Sequence, residues 1–418
     1  MIEFLNSSIG KKLKSNLLSL SVLQFANYAM PLLTIPYLVR ILGPDYFGLL
    51  AFATAVTSFF VLVTDYGFNL SATRQISIHR KDHLKINDIF CSVMLVKIAL
   101  LMISFILLIL LIYNFEKFGK NWEVYILSFG VVIGQVLFPV WFFQGKESMR
   151  YLAYINIIVK TFFTILVFIF VQENSDYLLV PLYTSLGFII SGIISLYIVK
   201  RNFNVRFSIP RWEFVKFQIT DGWHVFFSSI SINLYTTSTI VILGLLTNNT
   251  VVGFFSAAEK IIQAIKGMYF PFSQAIYPLI SKKVYDDKKK GLLFTKKIIL
   301  PVGIIMFFLS LTLFLFSEYI VLLFLGGNYT SSVLPLQIMA FIPFFATLSN
   351  IFGIQIMLNM GYKAAFSKIL AISGIIGVIL NYMLILEVGE NGASISIMLV
   401  EIFVTISMYI FLKYNKVF

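Results

Sequence analysis

The chain has 418 residues, of which 59% are hydrophobic and 12% charged, with a mean hydropathy of +0.90. A soluble domain carries about 25% charged residues, so this composition excludes a water-soluble protein and calls for many membrane spans rather than one anchor. The single cysteine, Cys91, excludes an internal disulfide and a cysteine-based metal cluster, and His79, His83 and His224 do not make a metal site.

The N-terminal stretch SIGKKLKSNLLSLSVLQFANYAM has the basic start and apolar run of a signal peptide. Ser, Gln and Asn interrupt that run, and it continues through PLLTIPYLV, so an uncleaved first span fits better. A span needs roughly 20 apolar residues, which gives about twelve along the chain. They are expected near 16–39, 45–69, 88–113, 122–144, 150–171 and 177–199, then near 221–246, 250–279, 297–317, 331–359, 364–386 and 391–412. In the first span Gln24, Asn27, Tyr28 and Pro31 follow the i, i+3, i+4, i+7 pattern of one helix face. Its prolines permit a bend. A basic linker around Pro210, KRNFNVRFSIPRWEFVKFQ, divides the expected architecture into residues 1–205, spans 1–6, and residues 206–418, spans 7–12.

The formal charge of +13 invites a nucleic-acid partner, but its placement argues against one. With twelve alternating spans, almost every loop Lys and Arg falls on one side, and only Arg40, Lys117 and Lys120 fall on the other. That asymmetry places both termini in the cytoplasm, with the basic loops facing anionic lipid. Four lysines remain inside the spans: Lys97, Lys160, Lys260 and Lys266. Their acidic counterparts are Asp65, Glu259 and Glu401, with Asp221 near a helix start. Each mid-membrane charge costs ~2.5–3.5 kcal/mol on insertion scales and normally faces protein or a water-filled cavity.

The densest polar stretch is AAEKIIQAIKGMYFPF, Ala257 to Phe272. At about 100° per residue, Glu259, Gln263, Lys266 and Phe270 share one helix face, with Lys260 beside them. Such a stripe reads as a cavity wall. A helix lying flat on the membrane and a structural Glu–Lys pair are the competing explanations, and Lys97 and Lys160 lie close enough to span ends to snorkel.

RILGPDYFGLLAFATAV after the first span matches GLLTNNTVVGFFSAAEKI after the seventh when Gly48 is set on Gly253. Two parallel repeats of six spans are a transporter architecture.

Several stretches together carry a family resemblance: LQFANYAMPLLTIPYLVRILGPDYFGLLAFA, TDYGFNLSATRQIS, PVWFFQGKE, SSISINLYTTSTIVILGLL and VVGFFSAAEKIIQAIKGMYFPFSQAIYPLISK. The chain resembles bacterial O-antigen flippases of the Wzx type. These form part of the polysaccharide transporter branch of the multidrug/oligosaccharidyl-lipid/polysaccharide exporter superfamily. The resemblance implies a MATE-like, V-shaped pair of six-helix lobes in the bacterial inner membrane. It also implies alternating-access transfer of an undecaprenyl-diphosphate-linked oligosaccharide to the outer leaflet. Membrane lipids are the further partners, with polymerase and chain-length proteins of the same pathway.

That chemistry assigns roles to the intramembrane polar residues. Lys260 and Lys266, with Lys97, Lys160 and Arg40, would attract a diphosphate or acidic sugar as point charges. Gln24, Asn27, Asn233 and Gln263 would hydrogen-bond sugar hydroxyls. Asp65 and Glu259 are candidates for coupling to a proton or sodium gradient, and Arg74 for a gate. No cofactor or metal is expected, and no Walker motif indicates ATP. A multidrug/cation antiporter and a membrane-embedded glycan polymerase are the alternatives. The polymerase is disfavoured by short outer connections and the lack of a DxD motif or a His/Asp/Ser arrangement.

Overall fold

The computed structural model describes the backbone of residues 8–417 and the side chains from Leu33 onward, except at positions 224, 228, 231, 232, 234–236, 275 and 278. The described residues form helices and short connections, without a strand. Only helices and closed barrels pair every backbone group inside lipid. Eight of the helical stretches are long and apolar enough to cross a membrane, so the chain is a multi-pass membrane protein. Residues 212–286 lie outside those eight.

Helix α1 (Ser8–Asp65) is two helices joined at Gly43, whose φ of 67° lies in the left-handed region that favours glycine. The break falls in the turn expected between spans one and two. It is followed by α2 (Phe68–Ile78), α3 (His83–Asn114) and the short α4 (Glu116–Gly119). Asp82 caps α3 by accepting the Lys85 N–H at 3.1 Å. The expected fourth span is divided into α5 (Trp122–Leu137) and α6 (Val140–Gly145) at Phe138–Pro139, where proline supplies no N–H. Then come α7 (Met149–Phe170) and α8 (Leu179–Phe203). The linker past Asn204 is held against α3: Asn87 Oδ1 accepts the Arg206 N–H at 2.7 Å, and Cys91 Sγ donates to the Arg206 carbonyl at 3.3 Å. Cys91 is therefore a buried structural residue.

The remaining helices are α9 (Trp212–Thr236), α10 (Ser238–Leu246), α11 (Asn249–Asp286), α12 (Lys288–Leu315), α13 (Ser317–Phe324), α14 (Val333–Met339), α15 (Ile342–Asn350) and α16 (Lys363–Tyr414). Asn248 caps α11 through the Val251 N–H at 3.0 Å, and Asp287 caps α12 through the Lys289 and Lys290 N–H groups. A π-helical turn, Ile351–Met357, continues α15. Helix α16 breaks at Val388 and Gly389, between the two spans expected there.

The helices pack into two compact units. One comprises Met1–Thr34 with Ala53–Ile230, the other Ile35–Phe52 with Ser231–Phe418. The first unit is centred on interlocked rings: Phe90 lies 5.5 Å from Trp141 and 5.4 Å from Phe142. The second is centred on Met306, Ile351, Ile356, Val404 and Met408.

Within the second unit the segment around Gly48 meets the start of α11 reciprocally. A Cβ on Gly48 would stand 1.8 Å from the Asn249 carbonyl oxygen, and a Cβ on Gly253 would stand 2.0 Å from the Pro44 carbonyl oxygen. Asn249 precedes Gly253 by one helical turn, as Pro44 precedes Gly48. Thr250 Oγ1 donates to Asp45 Oδ1 at 3.3 Å in the same joint. The two glycines that align in the sequence repeat thus lie against each other's preceding turn.

Candidate functional site

From its cap at Asn248, α11 rises about 1.5 Å per residue, which carries the Glu259–Lys266 stretch roughly 16–27 Å along the helix. The side chains of Glu259, Gln263 and Lys266 line a cavity of about 260 Å³ inside the second unit. Glu259 is only 8% exposed and accepts one hydrogen bond, from Gln263 Nε2 to Oε1 at 3.3 Å. Lys266 is half-buried. It makes no hydrogen bond or ion pair with any described residue. Lys260 stays exposed and outside the lining. Helical geometry explains the split: Lys266, seven residues beyond Glu259, returns to within about 20° of its direction, whereas Lys260 is about 100° away.

The opposite wall comes from α15 and α16. Ser349 Oγ donates to Glu401 Oε1 at 3.0 Å, and both line the cavity with Asn350. Phe366, Val404 and Met408 supply apolar surface. Glu401 shares one α16 face with Ile397, Val404 and Met408 through the helical i±3, i±4 and i+7 spacing. Behind this wall Ser273 Oγ donates to Asn350 Oδ1 at 2.8 Å, while Gln355 Nε2 in the π-turn donates to the Ser273 carbonyl at 3.0 Å. Glu401 was recognisable as a carboxylate in a span, but nothing in the sequence joined it to Glu259. Ser349 and Asn350 carried only the signal of two polar letters in an apolar run.

The other candidates lie elsewhere. In the first unit Lys97 Nζ lies 3.0 Å from Asp65 Oδ1 and donates to the Gln135 carbonyl at 3.4 Å. Asn69 Nδ2 donates to the other Asp65 oxygen at 2.5 Å. At 1% exposure Lys97 is sealed in this pair and does not snorkel. Lys160 Nζ lies 5.4 Å from the centroid of the Phe188 ring, a cation–π geometry. Arg40 Nη2 donates to the Leu323 carbonyl. Asn233 Oδ1 accepts from Thr237 Oγ1 one turn on, at 3.4 Å. Gln24 and Asn27 lie outside the residues whose side chains are described.

Arg74 sits in a separate polar cluster of the first unit. Its Nη2 lies 2.7 Å from Asp221 Oδ1, and Gln75 Nε2 donates to Asp221 Oδ2 at 2.8 Å. Gln75 and Gln218 exchange side-chain hydrogen bonds of 3.2 and 2.7 Å, both buried. Each Asp221 oxygen is thereby bonded, which ties the end of α2 to the start of α9. Among the described residues no group of His, Cys, Asp and Glu is arranged to hold a metal.

Residues 13–284 match the family described as polysaccharide biosynthesis protein. A protein of Escherichia coli (strain K12), provisionally named an O-antigen transporter, is 36% identical over 405 residues, 97% of each chain. A Shigella dysenteriae protein of the same name is 28% identical over 397 residues, 95% of this chain and 99% of its own. Among solved structures, the lipid II flippase MurJ in an inward closed conformation aligns with a TM-score of 0.72 at 13% identity, covering 94% of this chain and 87% of its own. An inward-facing MATE family multidrug transporter aligns with a TM-score of 0.69 at 13% identity, covering 93% and 94%. At that identity the likeness concerns the fold alone. The family match and the Escherichia coli relative show that the chain belongs to the polysaccharide biosynthesis protein family and is a transporter rather than an enzyme.

Proposed function

We propose that this protein is a flippase for undecaprenyl-diphosphate-linked O-antigen repeat units, moving them from the cytoplasmic to the periplasmic leaflet of the bacterial inner membrane. The observation that carries the reading is the cavity between α11 and the membrane-crossing stretches Gly327–Met357 and Lys363–Tyr414, lined by Glu259, Gln263, Lys266, Ser349, Asn350 and Glu401. Unpaired ionisable groups around a void suit a polar cargo, because hydrocarbon alone would make them costly. The relatives' names support a lipid-linked glycan as that cargo. The distribution of loop lysines and arginines supports cytoplasmic termini. Twelve spans in two six-helix lobes, working by alternating access, complete the reading.

In this scheme Lys260, Lys160 and Arg40 supply positive charge toward the diphosphate, and Lys266, with Gln24, Asn27, Asn233 and Gln263, supplies hydrogen bonds to sugar. The Lys97-held Asp65 is the group through which a proton or sodium gradient would act. A polymerase and chain-length proteins of the same pathway are its expected partners. Proteoliposomes loaded with labelled lipid-linked oligosaccharide test the reading: transfer between leaflets without bond formation is expected. A purified protein that exports cationic drugs and leaves the lipid-linked sugar in place would replace it with the antiporter reading. A Lys266→Ala variant of normal abundance and full transfer would remove that lysine from the scheme.

A further inference from the structure

The cavity of the second unit is too small for the whole repeat unit and too negative for its diphosphate. Its volume is about 260 Å³. That falls below the ~300–1,000 Å³ of pockets for drug-sized ligands. Its ionisable lining is Glu259, Glu401 and Lys266, a formal charge of −1 when all three are ionised. A diphosphate would meet two carboxylates for one ammonium.

The hydrogen-bonding inventory is more selective than the charge. Glu259 is more than nine-tenths buried, yet its Oε2 makes no hydrogen bond with a described residue. Glu401 accepts only from Ser349, through Oε1. Lys266 has three N–H donors and no acceptor. No ion pair forms among the three, so all retain capacity toward the void. A hydroxyl donates to a carboxylate and accepts from an ammonium at once. A ring with several hydroxyls satisfies both kinds of group without carrying charge, and its C–H face suits the apolar wall of Phe366 and Met408. A bare cation would satisfy the carboxylates but leave Lys266 without a partner.

We infer that this cavity is a subsite for one neutral sugar ring of the cargo, with Glu259 and Glu401 as acceptors, Lys266 as donor and Phe366 as the stacking wall. The inference rests on the flippase reading for its biological setting, but its binding chemistry stands on the cavity. Glu401 and Ser349 become specificity residues, and the diphosphate is held elsewhere.

Two measurements test it. Purified full-length protein is irradiated with a diazirine-bearing N-acetylglucosamine, and the labelled peptides are mapped by mass spectrometry. Label within residues 346–354 or 397–408, competed by free N-acetylglucosamine and not by inorganic pyrophosphate, is the expected result. Label confined to other segments, or competition by pyrophosphate, overturns the subsite. In proteoliposomes, Glu401→Gln and Ser349→Ala are expected to raise KM for an undecaprenyl-diphosphate-linked N-acetylglucosamine tenfold or more, with the maximal rate within twofold of wild type. A fall in rate at unchanged KM with a displaced pH or sodium dependence would make the cavity a coupling site and sink the proposal. Specific labelling by a wild-type protein that moves no lipid-linked sugar would instead defeat the flippase reading while leaving the sugar subsite standing.

Discussion

Gly48→Ala is the sharpest test of the reciprocal joint between the Gly48 segment and α11. The added Cβ would lie 1.8 Å from the Asn249 carbonyl oxygen and 2.6 Å from the Gly253 nitrogen. Ordinary contact begins near 3.4 Å, so the helices must part by about 1.6 Å, the difference between 3.4 and 1.8. Both obstructing atoms are backbone, so no side-chain rotation relieves them. Overpacking of this kind costs about 1–3 kcal/mol, or several degrees of thermal midpoint for a unit of this size. Gly253→Ala meets the Pro44 carbonyl at 2.0 Å and should cost a similar amount. Because either methyl opens the same gap, the double variant should cost clearly less than the sum of the singles. Gly327→Ala is the control, since nothing lies within 4 Å of a Cβ there. Midpoints are read by fluorescence-detected unfolding in one detergent. Equal midpoints for Gly48→Ala and Gly327→Ala, or strict additivity of the two joint variants, would refute the packing argument.

Three further outcomes are expected. Lys97→Met should destabilise the protein by about 3 kcal/mol, the low end for a broken buried pair because the Asp65 side chain is 30% exposed; Lys97→Met with Asp65→Leu should recover much of that loss in the same unfolding assay. Gly353→Ala places a Cβ 2.5 Å from Phe366 Cε2 and 3.0 Å from Met408 Sδ, both side chains of the cavity wall; it should shrink the void and raise KM for lipid-linked sugar in proteoliposomes, with membrane abundance preserved. Asp287 has its pKa lowered below 3.8, first by the Lys290 backbone N–H, so its cap stabilises the fold fully above about pH 4 and loses this effect as pH falls through the depressed folded value. The difference in thermal midpoint between wild type and Asp287→Ala should therefore narrow under acid and be constant from pH 5 to 8.

Much of this architecture was legible because lipid imposes simple rules. Apolar runs bounded by basic loops marked the helical stretches, and the breaks at Gly43 and Gly389 fell where turns were expected. The α11 stripe was legible as well, since helical spacing alone puts Glu259, Gln263 and Lys266 on one face. What escaped was tertiary. Glu401 joins the site from a helix more than a hundred residues away, and no periodicity encodes that meeting. Lys97 and Asp65 read as two independent functional charges, yet they neutralise one another at 3.0 Å. The division at Pro139 was missed because the apolar run continues unbroken through it.

The chain's packing units do not coincide with its linear halves: Ile35–Phe52 belongs with the C-terminal helices and Trp212–Ile230 with the N-terminal ones. Two polypeptides cut at the linker near residue 205 would each be missing a strip that completes its own body and would display a strip meant for the other. Fragment complementation should therefore demand co-synthesis in one membrane, and either fragment made alone should be a substrate for proteolytic quality control. A cut displaced to follow Ile230 would return only one of the two strips.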